Sequence, residues 1–325
     1  MAKIALGVDV GGTNIVCGAV DAAGRVLRQT KRPTDAAAGY EAVVARIAGM
    51  AADIRASLGD GYEIAAVGVG IPGLVDPDKG ISRFAGNLKW RDLPVASELE
   101  RLIGLPVYVD NDVRMYVYGE TAAGAGRGCE HVLGITIGTG IAAAIVSGGE
   151  LYYGRSAMAG ELGHVRMADV EDACSCGLTG CLETVASASG MVRQARRALL
   201  AGEDSLLGRW FPGDEAGRMT AADLSRAMDE GDALAERIVV RAGVLCGRAL
   251  AAAAMLLSPD RIIVGGGGAL AGERLLAPLR EELYRLLLPD IRDGLTVAPA
   301  ERNDDAGIIG SALCASRRLG IPLSN

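Results

Sequence analysis

The chain has 325 residues, half of them hydrophobic, and carries a formal net charge of −7. This length suffices for two domains with cores of their own, the hydrophobic fraction excludes a disordered chain, and an acidic balance without a local Lys/Arg cluster excludes a nucleic-acid footprint. The first residues hold neither a long apolar region nor a small-residue cleavage site, and no apolar run approaches a membrane span, which predicts a cytoplasmic protein with small-molecule or protein partners and no membrane association.

Residues 4–20 form an apolar β-rich run, a Gly11-Gly12-Thr13 turn and a second apolar run, the pattern of a buried hairpin. Glycines in such a turn leave backbone N–H groups open to a phosphate. Asp9 lies inside the first strand, where an unpaired carboxylate is costly, so it needs either a cation or hydrogen-bond donors. Magnesium on nucleotide phosphates would serve, acting through retained waters.

Residues 40–58 place Val43, Ile47, Met50 and Ile54 at helical spacing. Strands are predicted over 64–71, before Pro72-Gly73, and over 106–110, before Asn111-Asp112 and a helix over 113–119. Polar residues beyond a strand's carboxyl end face the ligand crevice in open α/β sheets, which makes Asp112 a candidate general base. Read from the local sequence alone, the helix N-cap is the favoured role for Asp112, and Asp110 competes for either role.

Residues 131–146 repeat the first hairpin at constant offset, Gly7 aligning with Gly134 and Gly11 with Gly138, so two related lobes with two phosphate-facing turns are expected. A Cys-x-Cys pair, Cys174 and Cys176, then Cys181 and the nearby His164 supply four soft ligands at short spacing, the pattern of a closed structural zinc site. Cys17, Cys129, Cys246 and Cys314 sit singly in apolar surroundings and read as small buried hydrophobes. The stretch 201–217, with Trp210 and Phe211, reads as an insertion or a partner surface. Thr220 and Asp223 resemble a capping box. An Ala-rich helix is predicted over 238–257. The strand-borne cluster Gly265–Gly268 is then either a nucleotide contact or a tight strand-to-helix junction, with a helix from Leu270.

At Gly7-Val-Asp-Val-Gly-Gly-Thr13, Gly70-Ile-Pro-Gly-Leu-Val-Asp76, Asn87-Leu-Lys-Trp90, Asn111-Asp112, Ile137-Gly-Thr-Gly140, Glu161-Leu-Gly-His164 and Cys174-x-Cys176-Gly-x-x-Gly-Cys181-x-Glu183, the chain resembles the ROK family of sugar kinases and related repressors, from about residue 4 to the C-terminal helix. The resemblance implies an α/β fold of the actin-like ATPase (ribonuclease H-like) type, with a duplicated β-sheet core and an interlobe cleft. It divides the chain into a small lobe, 1–118, with a C-terminal helix over about 306–325 packing back on it, and a large lobe, 119–305, carrying the zinc loop.

The implied activity is ATP-dependent phosphorylation of a hexose hydroxyl, O6 foremost. Glucose is the first choice, with N-acetylmannosamine, N-acetylglucosamine, allose and fructose as alternatives. Asp112 matches the catalytic base, and Asn111, Glu161, His164 and Glu183 match sugar contacts, with Gly73 and Asn87 lining the same pocket. Asp9, Gly11, Gly12, Thr13, Gly138, Thr139, Gly140, Gly265, Gly266 and Gly267 would surround Mg-ATP. His164, Cys174, Cys176 and Cys181 match the zinc ligands, one imidazole nitrogen on the metal leaving the other for a hydroxyl. A homodimer is implied. A sugar-sensing repressor would need an N-terminal helix-turn-helix ahead of the first strand, for which the sequence shows no room. Two positions depart from the family pattern: Ala142 and Ala143 replace glycines, and Arg114 stands where a small polar residue is usual, free to contact phosphate, lower the pKa of Asp112 or face solvent.

Overall fold

The computed structural model describes residues 1–321. In chain order its elements are β1 (Ala2–Val10), β2 (Asn14–Val20), β3 (Val26–Pro33), α1 (Tyr40–Ser57), β4 (Tyr62–Ile71), β5 (Leu74–Asp76), β6 (Ile81–Ala85), β7 (Trp90–Leu93), α2 (Val95–Ile103), β8 (Val107–Asn111), α3 (Asp112–Ala123), β9 (His131–Ile137), β10 (Ile141–Ser147) and β11 (Glu150–Leu151). There follow α4 (Glu183–Ala186), α5 (Ala188–Leu200), α6 (Leu206–Trp210), α7 (Ala221–Asp229), α8 (Ala233–Leu257), β12 (Arg261–Gly265), α9 (Glu273–Leu286), α10 (Pro289–Gly294), β13 (Thr296–Pro299) and α11 (Ala306–Arg318).

The chain forms two compact units. Unit 1 comprises Met1–Glu130, Ala144–Ala159 and the chain from Ala300 onward, and unit 2 comprises His131–Ala143 and Gly160–Pro299. Beside the expected lobes of 1–118 and 119–305, the first segment of unit 1 runs on to Glu130, and the unit also takes in Ala144–Ala159. The last helix ends at Arg318, and residues 322–325 of the expected 306–325 helix lie outside the described residues.

Unit 1 is built on a sheet of order β3-β2-β1-β4-β8, antiparallel from β3 to β1 and parallel from β1 to β8. Its central strands are apolar on both faces because both are covered. Leu6, Val8 and Val10 join Ile47, Met50 and Ile54 of α1 in one buried cluster. Gly7, with its face reversed by the period of two, meets α11: a Cβ there would stand 1.8 Å from the Ile308 carbonyl oxygen. Gly68 of β4 meets the Ser311 carbonyl at the same distance, so the strand glycines are what let α11 lie on the sheet.

The second five-stranded sheet, β11-β10-β9-β12-β13, repeats the order of the first, with β9, β12 and β13 parallel. The duplicated sheet expected from the repeat is present. In unit 2, α8 runs 25 residues and is long and apolar enough to cross a membrane by length and composition, contrary to the reading that no such run exists; 61% of its most apolar window is nevertheless buried. Gly243 and Gly247 let it approach α9, where added Cβ atoms would stand 2.6 and 2.5 Å from the Leu275 and Leu279 carbonyl oxygens. Thr220 and Asp223 form the expected capping box of α7. The 201–217 stretch folds as α6 and a 3-10 turn, with the Arg226 guanidinium 4.2 Å from the Trp210 ring centre.

Candidate active site

Register places three residues of unit 1 in one row across the parallel strands: Asp9 pairs with Gly70, and Gly70 with Asp110. The row lies at the carboxyl ends of β1, β4 and β8, the edge where open α/β sheets bind ligands. Just beyond Asp9 the first turn closes through Gly11 N–H donating to the Asn14 carbonyl at 2.8 Å. Thr34 N–H donates to the Thr13 carbonyl, also at 2.8 Å. Asn87, on a short 3-10 turn, comes to this loop: a Cβ on Gly12 would stand 3.4 Å from the Asn87 Cβ.

The Asp9 side chain accepts no hydrogen bond among the described residues. Burial pushes its carboxyl up to about 7, with the nearby Asp112 adding to the rise. Of the two solutions open to a carboxylate so placed, the protein supplies no donors, and the site suits a cation's water shell. Gly307 of α11 is what lets the helix pass Asp9, since a Cβ there would stand 2.7 Å from the carboxyl carbon.

At the end of β8 the N-cap of α3 is Asn111, whose side-chain oxygen accepts from Arg114 N–H at 3.1 Å. Asp112 is therefore the first helical residue, and the capping role belongs to Asn111. Its Oδ1 accepts from Val113 N–H and from Asn111 Nδ2, both at 2.9 Å, while Oδ2 has no hydrogen bond among the described residues. Burial pushes the Asp112 carboxyl up to about 6, held back by the Val113 N–H and by the charge of Arg114. Asn111 Nδ2 also donates to the Gly73 carbonyl at 3.0 Å. Gly73 has a φ of 88° and a Cβ there would lie 2.2 Å from the Phe84 carbonyl oxygen, so only glycine fits.

Asp110, the competing candidate, is fully engaged and cannot act as a base. It accepts from Asn111 N–H at 2.7 Å, Arg114 Nε at 2.6 Å and Tyr153 Oη at 2.7 Å. Arg114 is buried in that pair, so it neither faces solvent nor stands free for a phosphate; of the three readings, the one the structure supports is that its charge acts to lower the Asp112 pKa, against the larger rise from burial.

In unit 2 the turn Gly138-Thr139-Gly140 closes through Gly138 N–H and the Gly140 carbonyl at 2.9 Å. The start of α5 braces it: Ala188 N–H donates to the Gly138 carbonyl at 2.9 Å, and Ser189 Oγ donates to the Thr139 carbonyl. The sequence reading missed this brace, fifty residues downstream. A Cβ on Gly138 would meet nothing within 4 Å, so this side of the turn is open, although the Gly138 N–H itself is engaged in closing it. Of the third cluster, Gly265 ends β12, while Gly266 and Gly268 serve packing, since Cβ atoms there would stand 2.7 and 2.5 Å from Ile137 atoms. Gly267 is open and, with Gly268, lines a cavity of about 140 Å³ bounded by Met191, Ala221, Ser225 and Val239. The helix expected from Leu270 begins at Glu273 after a 3-10 turn. Ala143 is buried and its N–H donates to the Gly160 carbonyl at 2.8 Å, so its methyl group packs within the fold.

His164, Cys174, Cys176 and Cys181 bring one ligand atom each within 4.8 Å of one another. Cys176 and Cys181 Sγ are 3.7 Å apart, and Cys174 Sγ is 3.7 Å from His164 Nδ1. Zinc–sulfur bonds of about 2.3 Å and zinc–nitrogen bonds of about 2.0 Å require tetrahedron edges of roughly 3.8 and 3.5 Å, close to these two separations, so the donor set suits the ion. The loop holds its shape through Cys174 N–H on the Leu178 carbonyl at 2.8 Å and a left-handed Gly177, φ 92°. His164 turns Nδ1 to the cysteines and Nε2 to Glu161, whose carboxylate is 3.7 Å away. Glu183 is not a free carboxylate flanking the ligands: it lies 3.1 Å from Cys174 Sγ, and its other oxygen accepts from Ile141 N–H at 3.4 Å. His131 lies on β9, outside this cluster.

The ROK family model matches residues 5–318. A glucokinase of Halalkalibacterium halodurans is 38% identical over 94% of this chain and 92% of its own length. A glucokinase of Thermotoga maritima is 36% identical over 97% and 98%. The crystal structure of a ROK family glucokinase from Streptomyces griseus, in complex with glucose and AMPPNP, superposes with a TM-score of 0.82 at 34% identity, covering 97% of this chain and 99% of that one. The fold is thus the two-domain actin-like ATPase fold of those kinases.

Proposed function

The chain belongs to the ROK family, and on that premise we propose that it is an ATP-dependent hexose kinase, with glucose the first substrate to test and O6 the acceptor. The observation that carries this reading is Asp112. One of its oxygens is tied by two donors, the other is free, and its carboxyl is tuned to about 6, so at pH 7 it is roughly nine-tenths ionised and able to take a proton.

In the proposed reaction the hydroxyl oxygen attacks the γ-phosphorus, its proton passes to Asp112 Oδ2, and the bond to the β,γ-bridging oxygen breaks to release ADP. The transfer depends mainly on positioning and charge neutralisation. Asp9 would hold the water shell of magnesium, which when bound neutralises charge on the phosphates. The turns Gly11-Gly12-Thr13 and Gly138-Thr139-Gly140 are assigned to the phosphates, the Gly11 and Gly138 N–H groups closing the turns and the N–H groups of Gly12, Thr13, Thr139 and Gly140 facing the anion, and Gly267 with its cavity is assigned to the flat face of adenine. Asn111, Gly73 and Asn87 in unit 1, and Glu161, His164 and Glu183 in unit 2, are assigned to the sugar. Among the last three, His164 Nε2 and Glu161 have the freer polar atoms.

We assign Cys174, Cys176, Cys181 and His164 Nδ1 to a structural zinc ion, supported by the four ligand atoms lying within 4.8 Å of one another and by the two 3.7 Å separations among them. A homodimer, which the family resemblance implies, and a cytoplasmic location, expected from the N-terminal sequence, complete the proposal. The test is sugar-dependent ADP release from Mg-ATP across a hexose panel, with Asp112→Asn as control. That variant should lose at least about a thousandfold in kcat while still binding sugar. ADP release that no sugar raises above the sugar-free rate would sink the assignment.

A further inference from the structure

The Asp112 turn is bracketed by a buried ion pair whose cation is the residue that departs from the family pattern. Arg114 Nε donates to Asp110 Oδ1 at 2.6 Å, with both side chains almost fully buried. Its Nη1 donates to the Ala157 carbonyl at 3.0 Å, and its guanidinium carbon lies 5.3 Å from the centre of the Tyr153 ring. Tyr153 closes the figure by donating from Oη to Asp110 Oδ2 at 2.7 Å. Arg318, near the end of α11, donates to Tyr153 Oη at 3.2 Å and to the Pro77 carbonyl at 2.8 Å.

Two features separate this cluster from an ordinary stabilising pair. Ser156 and Ala157 both hold φ of 56°, a left-handed conformation that non-glycine residues adopt at a cost, and Arg114 grips the carbonyl of the second. Arg114 Nη2 is buried without a partner, an unfavourable state for a cation serving stability alone. The guanidinium is placed for its geometry. It joins Asp110, the residue just before Asn111-Asp112, to a loop that forms one wall of a cavity of about 510 Å³.

We propose that Arg114 is a positioning residue for phosphoryl transfer: with Asp110 and Tyr153 it clamps the turn that presents Asp112, fixing where the free Oδ2 points. The proposal rests on Asp112 being the base. A displacement of about 1 Å at a reacting group costs on the order of a hundredfold in rate, so the clamp acts on kcat and leaves ground-state binding nearly untouched.

The experiment measures kcat and both KM values with glucose and Mg-ATP, together with melting temperature, for Arg114→Gln, Arg114→Lys, Tyr153→Phe and the double variant R114Q/Y153F. Arg114→Gln should lower kcat about 30- to 100-fold with both KM values within about threefold of the parent. Arg114→Lys, which restores the charge but not the two-armed fork, should fall between. Tyr153→Phe should lose about tenfold, and the double variant no more than R114Q alone, because both act through Asp110. A purely structural role would instead lower the melting temperature and leave kcat per folded molecule unchanged. That result, or losses that multiply in the double variant, would overturn the proposal. If R114Q does not fold, Tyr153→Phe decides, since it keeps the ring and loses one oxygen: an unchanged kcat refutes the clamp. Asp112→Asn, run alongside, separates the layers. If it keeps turning over, the base assignment has failed; if it is inactive while the Arg114 variants are normal, only the clamp has.

Discussion

Replacing Gly310 by alanine tests whether α11 is seated as closely as the structure shows. An ideal Cβ at Gly310 would stand 1.7 Å from the Met115 carbonyl oxygen and 2.7 Å from the Gly119 nitrogen, both backbone atoms of α3. Ordinary contact is about 3.4 Å, so the two helices would have to part by more than 1 Å. Overpacking against movable side chains costs about 1–3 kcal/mol, and against backbone the upper end applies. Alanine gives back up to about 1 kcal/mol of helix propensity. The net loss should be about 2–3 kcal/mol, which at roughly 2–4 °C per kcal/mol lowers the melting temperature by about 4–12 °C. Gly49→Ala is the control, the same exchange inside α1, where the added methyl would meet only the flexible end of Arg32 at 3.9 Å. It should melt at or slightly above the parent temperature. Thermal unfolding by circular dichroism without ligands reads both, and a Gly310→Ala protein melting within about 2 °C of the parent would refute the reasoning.

Turnover at saturating substrates should fall about tenfold per pH unit below pH 6, because Asp112, raised to about 6 by burial, must be ionised to accept a proton; a profile flat to pH 5 would exclude it as the base. Cys176→Ser should release zinc, measured by elemental analysis, and raise the sugar KM more than the ATP KM; full zinc retention would contradict the ligand set. Glu282 on α9 accepts from Arg285 and from Arg248 of α8, and these bonds, that of Arg285 first, depress its carboxyl to about 2. Glu282→Gln should therefore cost about 1–2 kcal/mol at pH 7. The depressed pKa means this stability is present above the ordinary carboxylate value near pH 4.5 and lost as pH falls through about 2, so urea midpoints of parent and variant should converge in acid.

What the sequence disclosed, it disclosed through local pattern. Glycine at an otherwise apolar strand end marked both turns, short ligand spacing marked the cysteine loop, and the Thr220–Asp223 spacing marked the start of α7. What it concealed depends on partners far away in the chain. Whether Asn111 or Asp112 caps α3 turns on where β8 releases the backbone, which neighbouring residue types do not reveal. Arg114 looked solvent-facing or ligand-facing because its acceptor at Ala157 and its ring partner Tyr153 lie some forty residues on. The third glycine cluster resolved into Gly266 and Gly268 needed against Ile137 and one open Gly267, a division that only β9 imposes.

The threefold assembly of unit 1 from Met1–Glu130, Ala144–Ala159 and the chain beyond Ala300 bears on the order in which the molecule can be made. Unit 2 is complete once Pro299 has been synthesised, but the face of β1 and β4 that takes α11 stays bare until α11 leaves the ribosome. Eleven of the thirteen residues of that helix are buried. A message cut short just before Ala306 would therefore yield a protein with unit 2 entire and an uncovered apolar sheet in unit 1, a substrate for chaperones and proteases.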